Sequence, residues 1–133
     1  MSDREFALFV PCAMWTVNKE RTMHHHARAK LVKPAREMSK LLTLQAMRQR
    51  VIQPYSVPVH VEFFPTQPKA GSLADTASHL GPCKAVLDGV VDAKLLIDDT
   101  PQYVMSQRFW PPIKGPVPGV GIMITTQAVS FPS

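Results

Sequence analysis

The sequence predicts a single α/β domain of the α+β type, a mixed β-sheet of about four strands with two main helices packed on it. Three observations point there. Apolar residues alternate at strand period in Val57, Val59, Val61 and Phe63, and again in Val120, Ile122 and Ile124. They recur at three- and four-residue steps in Leu31, Ala35, Met38, Leu42 and Ala46, which is helical spacing. The 133 residues, 45% hydrophobic and 19% charged, suffice for one core and are too apolar for a disordered chain.

Glu5 to Val10 reads as the first strand, aromatic and branched in character and closed by Pro11. Thr16 to Thr22 is polar and reads as a loop. The helical stripe defines a helix from Ala27 to Gln49, which Pro34 either starts or kinks. Arg36, Lys40, Arg48 and Arg50 fall mainly off its apolar side. Gln53 to Pro58 reads as a turn, the alternating run after it as the second strand, and Pro65 to Leu73 as a loop. Pro82 to Lys94 is a second helix, with Cys83, Val86, Leu87, Val90 and Ala93 on one face. Asp98 to Pro101 is a turn and Gln102 to Trp110 a third strand. Residues 111 to 121 hold four prolines and three glycines, a connector, and Val120 opens the last strand. The order is β-α-β-α-β-β, with no internal repeat.

Several classes drop out. The longest apolar run, Ala7 to Trp15, is nine residues broken by Pro11, far below the ~20 of a spanning helix. The opening Met1-Ser-Asp-Arg-Glu5 lacks the basic-then-apolar pattern of an export signal. No membrane association is expected, and a cytoplasmic location is. Cys12 and Cys83 form no CxxC, which argues against a disulfide framework or a four-cysteine zinc site and leaves them as small buried hydrophobes. Without GxxxxGK or GxGxxG, no nucleotide cofactor is expected.

The net charge of +5 conceals a strong polarity. Residues 15 to 50 carry nine bases against two acids, a local +7, with His24, His25 and His26 among them. Residues 75 to 99 hold five of the ten acids, opposed by Lys84 and Lys94 alone. A basic segment favours a polyanion through counterion release. An acidic cluster repels that polyanion unless a metal ion intervenes, so the pair suits an enzyme that grips phosphates on one surface and cuts at another. Mixed-charge helices are also ordinary solvated faces, and the charge alone does not decide.

Asp75 in a loop, Lys84 at a helix start and Asp98-Asp99 past its end can converge if the strands bring their loops together. Converging carboxylates call for a hard cation, and Mg²⁺ takes one or two of them plus waters and phosphate oxygens. Taken singly, Asp98-Asp99 are also turn formers, Lys84 and Asp88 an i,i+4 surface pair, and Asp75 an ordinary loop acid. Three consecutive histidines cannot share one helix face, so phosphate contact by one imidazole is favoured over a zinc site. Trp15, Tyr103 and Trp110 are read as core or interface aromatics rather than base-stacking platforms.

The run Lys84-Ala-Val-Leu-Asp-Gly-Val-Val-Asp-Ala-Lys-Leu-Leu-Ile-Asp-Asp99 resembles the signature of RusA-type Holliday-junction resolvases. In that family an acid-bearing loop precedes a lysine, a helix with Asp four residues on, and an Asp-Asp pair. The lysine-to-Asp-Asp spacing matches without a gap. Trp15-Thr-Val-Asn-Lys-Glu-Arg21 is similar to the family's early Asn-containing loop, also followed by a basic helix. The likeness is specific over residues 73 to 104 and loose elsewhere.

The resemblance implies a Mg²⁺-dependent, homodimeric endonuclease, with Mn²⁺ as a substitute ion. It would nick four-way junctions, or flaps and forks, in recombination, repair or phage DNA processing within a bacterial or phage-infected cell. Carried over, Asp75, Lys84, Asp98 and Asp99 would be catalytic, and Asp75, Asp98 and Asp99 would hold the metal. Asn18, Lys19, Arg21, His24, Arg28, Lys30, Lys33 and Arg36 would bind DNA. The family loop offers a second acid and an Asn where this chain has Thr76, Ala77, Ser78 and His79. Either metal affinity is weaker, or His79 serves as an auxiliary ligand or proton carrier. The alternative is a catalytically degenerate branched-DNA-binding protein of the same fold.

Overall fold

Residues 4–68 and 79–126 are described by the structure, a computed structural model, so Asp75, Thr76, Ala77 and Ser78 lie outside the described residues. The elements are β1 (Glu5–Pro11), α1 (Val17–Arg21), α2 (His25–Arg50), β2 (Val59–Gln67), α3 (Leu80–Asp92), β3 (Val104–Phe109), β4 (Ile113–Lys114) and β5 (Gly119–Thr125). The strands form one mixed five-stranded sheet in the order β1-β5-β2-β3, with β4 also paired to β2. β5 runs antiparallel to both neighbours, whereas β3 and β4 run parallel to β2. A parallel step needs a crossover, and α3 supplies it. The α+β class of the sequence prediction is the class observed.

Alternation gives the sheet two unlike faces. Phe6, Val10, Val61, Phe63, Ile122 and Ile124 are buried in one core cluster with Val86, Leu87 and Val90 of α3. The intervening residues make up the opposite face. There Phe9 and Phe64 both stand opposite Gly121, and Ala7 and Glu62 both stand opposite Met123.

The two helices cross through small residues. The buried positions of α2 are Ala35, Ser39, Thr43 and Ala46, while Met38 of the expected stripe is 40% exposed. Gly89 of α3 explains why Ser39 rather than Met38 faces that helix. A Cβ there would lie 2.4 Å from the Arg36 carbonyl oxygen and 2.5 Å from Ser39 Cβ, so the backbones approach too closely for larger side chains. The Ser39 hydroxyl donates to the Val86 carbonyl at 2.6 Å, which satisfies it within the crossing.

The remaining departures have local causes. The expected loop at Thr16 to Thr22 contains α1, whose N-cap Thr16 accepts from the Lys19 amide at 3.1 Å. Helix α2 continues through Pro34 rather than starting there. β2 runs past Pro65 to Gln67, where a loop is expected; Pro65 stands opposite Val120 of β5, and the strand goes on to pair with β4. β3 starts later than expected, at Val104, because the Thr100 carbonyl captures the amides of Tyr103 and Val104 in a turn. The Pro111-Pro112 break divides the second edge of β2 between β3 and the two-residue β4.

Candidate active site and basic surface

Lys84 lies on the first turns of α3 and Asp99 beyond its C-terminal end, 15 positions apart, yet the chain returns them to contact. The turn is made by Lys94, whose φ of 69° is left-handed, directly after the C-cap Ala93. Leu95 and Leu96 are then buried, which pins the segment carrying Asp98 and Asp99 against the core. Lys84 Nζ donates to Asp99 Oδ2 and, at 3.0 Å, to Asp88 Oδ1. Asp98 Oδ1 accepts from the Asp99 amide at 2.8 Å, so one turn orients both carboxylates.

The network continues across α3. Arg36 on α2 grips Asp92 through two hydrogen bonds, of 2.6 and 2.9 Å, and lies 4.0 Å from Asp88. Acids and bases therefore alternate as Asp99, Lys84, Asp88, Arg36 and Asp92. Partial burial works against the Lys84 ammonium, but the hydrogen bonds and charges of Asp99 and Asp88 outweigh it and raise its pKa. The hydrogen bond from Lys84 holds Asp99 below the usual carboxylate range, and that from Arg36 does the same for Asp92. Near neutral pH Lys84 is a cation and Asp99 an anion. The lysine is equipped to stabilise negative charge, not to abstract a proton.

A second group of contacts fixes α1 against the first turn of α3. Gly81 is flush with Trp15 and Glu20, since a Cβ would lie 2.2 Å from Trp15 Nε1. The buried Trp15 indole donates to Glu20 Oε2 at 3.2 Å, and Glu20 pairs with Arg28 at 2.6 Å. His79 is buried, with Nδ1 bonded to the Trp15 carbonyl at 3.0 Å and Nε2 to the Gln67 side chain. Nδ1 faces an acceptor, the Trp15 carbonyl, and Nε2 meets the Gln67 side-chain amide. Both ring nitrogens are engaged. His79 ties α3 to β2 and to the segment before α1 rather than holding out a ligand nitrogen.

Asn18, Lys19, Arg21, His24, Arg28, Lys30, Lys33 and Arg36 are all exposed, along α1 and the first half of α2. Arg28 and Arg36 are engaged by Glu20 and Asp92, so each serves the scaffold as well as the surface. His24, His25 and His26 bring their ligand atoms within 4.8 Å of one another, the one such group found among the described residues. The helix-face argument fails there because His24 is the N-cap, with extended backbone, and lies outside the helical geometry. Imidazole nitrogens suit zinc, copper or nickel, not Mg²⁺.

Trp15, read from the sequence as a core or interface aromatic, is buried, whereas Glu20, Gly81 and Gln67 are positions that sequence reasoning missed. Their role is to dock one element on another, and no local spacing encodes that. Neither a family model nor a curated protein matches the sequence.

Proposed function

We propose that the chain is a Mg²⁺-dependent, structure-selective endonuclease acting on branched DNA as a homodimer. The single observation carrying this reading is Lys84 Nζ seated between Asp99 and Asp88, with Asp88 4.0 Å from Arg36 of the basic helix α2. The resemblance of residues 84 to 99 to the RusA-type signature supports it. Asp98 and Asp99 offer the oxygen donors a hard cation takes, and two carboxylates suffice when waters and a phosphate complete the shell. Mg²⁺, when bound, supplies an activated water and stabilises the departing oxygen of a phosphodiester.

The chain's own residues do the rest. Asp99 is ionised at neutral pH and oriented by its turn. Asp98 and Asp99 would hold the cation, and Lys84, positioned beside them, would meet the charge that grows on the phosphate. Lys19, Arg21, Lys30 and Lys33 hold the DNA backbone, and nicks on opposed strands require two sites related by a twofold axis.

A labelled four-way junction incubated with Mg²⁺ and then with EDTA tests the reading. Paired, metal-dependent nicks are expected, and Asp99→Asn should abolish them while leaving junction binding largely intact. Wild-type cleavage by that variant would sink the assignment. A second reading, a branched-DNA-binding protein without catalysis, is favoured by His79, which replaces no missing acid because both its nitrogens are bonded. Binding without metal-dependent product would establish it.

A further inference from the structure

The helices cover one face of the sheet, and among the described residues nothing packs on the middle of the other. Phe9 and Phe64 flank Gly121 across three adjacent strands and leave a shallow groove of about 380 Å³ over the glycine. Phe9 is 41% exposed, and Ile113, aligned with Thr66 of the same face, is 60% exposed. Beside the groove Trp110 stacks on Phe64, and Arg108 lies 4.1 Å over the Trp110 ring.

We infer that this open sheet face is where two copies of the chain meet, packed sheet on sheet. Charge selects the occupant. The charged residues that the register places on this face are Glu5, Glu62 and Arg108, with Glu62 and Arg108 3.8 Å apart, so the face is close to neutral. A nucleic-acid backbone finds no excess of cations there; those lie on α1 and α2. Two copies of a chain with net charge +5 repel least through a neutral face.

Shape and size agree. A protruding Phe9 beside a groove floored by Gly121 is self-complementary, as a twofold interface must be, each copy giving a knob and taking one. Four strands about 4.8 Å apart and seven residues long present roughly 440 Å² in projection, which side-chain relief carries towards the ~800 Å² per partner of a standard interface. Two sheets so packed would sit about 10 Å apart. The proposal bears on the dimer part of the nuclease reading alone and is read by mass rather than by cleavage, so either can fail without the other.

Sedimentation of the full chain from low to high micromolar concentration should show a dimer. Phe9→Glu and Met123→Glu should each raise the dimer dissociation constant roughly thirtyfold or more, with the far-ultraviolet spectrum unchanged. A wild type monomeric throughout overturns the proposal, as does a dimer that both folded variants retain. Hydroxyl-radical footprinting of the wild type decides even if the variants misfold. Met123 should gain protection as concentration rises while Met38 on α2 does not, and equal labelling at both concentrations overturns the interface. Single-stranded DNA quenching the fluorescence of a monomer, with protection at Met123, would assign the face to nucleic acid instead.

Discussion

The helical side and the open side of the sheet solve opposite problems. On the helical side charge is dense, and around Lys84 it is matched: Asp99, Lys84, Asp88, Arg36 and Asp92 alternate within hydrogen-bonding or ion-pair distance. On the open side charge is sparse and the central groove is lined mainly by apolar residues, with Phe9 and Met123 around a glycine floor. Matched charges hold a geometry while remaining available to an incoming phosphate. Apolar surface has no partner but another apolar surface. Substitutions on the first side should therefore alter chemistry with mass unchanged, and those on the second should alter mass with local geometry unchanged.

The sharpest separation is expected at Lys84. Lys84→Ala should lower Mg²⁺-dependent junction nicking by about a hundredfold or more, the scale of losing one preorganised charge, with the oligomeric mass preserved. Unchanged nicking would break the link between the network and catalysis.

The next contrast compares two glycines. Gly89→Val drives its side chain into the Arg36 carbonyl and Ser39, and should cost about 1–3 kcal/mol by overpacking. Gly121→Ala meets Phe64 Cβ at 3.3 Å in a shallow groove and should cost less than Gly89→Val. Thermal unfolding of the two variants checks the order, and a reversal would mean that the open face is the tighter of the two. Ser39→Ala removes the bond to the Val86 carbonyl and should cost about 1 kcal/mol by the same measurement.

The smallest effect is electrostatic. Asp99 has a depressed pKa, so its contribution is present above the ordinary carboxylate value of about 4 and is lost as pH falls through the lower folded value. Lys84 is shifted up, so its contribution persists below about 10.4 and is lost as pH rises through the higher folded value. Both side chains are partly solvated, which keeps the pair to a few tenths of a kcal/mol. Carboxyl NMR titration should find Asp99 below its free value, and Lys84→Ala should return it upward. An Asp99 midpoint indifferent to Lys84 would remove the pairing.

Much of this was legible in the chain. Val59, Val61 and Phe63 alternate because one face of β2 is core, and α3 carries Cys83, Val86, Leu87 and Val90 on one side for the same reason. Lys84 and Asp98-Asp99 were legible as a pattern, although their contact depends on Lys94 turning left-handed and on buried Leu95 and Leu96. The α2 stripe held at Ala35 and Ala46, which are buried, and at Leu31 and Leu42, which pack on the core; it misled at Met38 and passed over Ser39 and Thr43, because close backbone approach at Gly89 selects for smallness rather than hydropathy. His79 was open to reading as a ligand because a sequence does not show that both its nitrogens are already bonded.

Composition and periodicity by themselves determined the class of fold, the two main helices, the strands at either end and the division into a basic and an acidic segment. These are properties of residues near one another in the chain, where burial imposes a period. Tertiary structure alone decided that Ser39 and Thr43 rather than Met38 are buried on α2, where β2 stops, that Trp15 and Glu20 seat α1 against Gly81 of α3, and that Phe9 and Phe64 stand on either side of Gly121. Each of these depends on residues 47 or more positions apart, or on a register between strands, and such contacts leave no mark on local pattern.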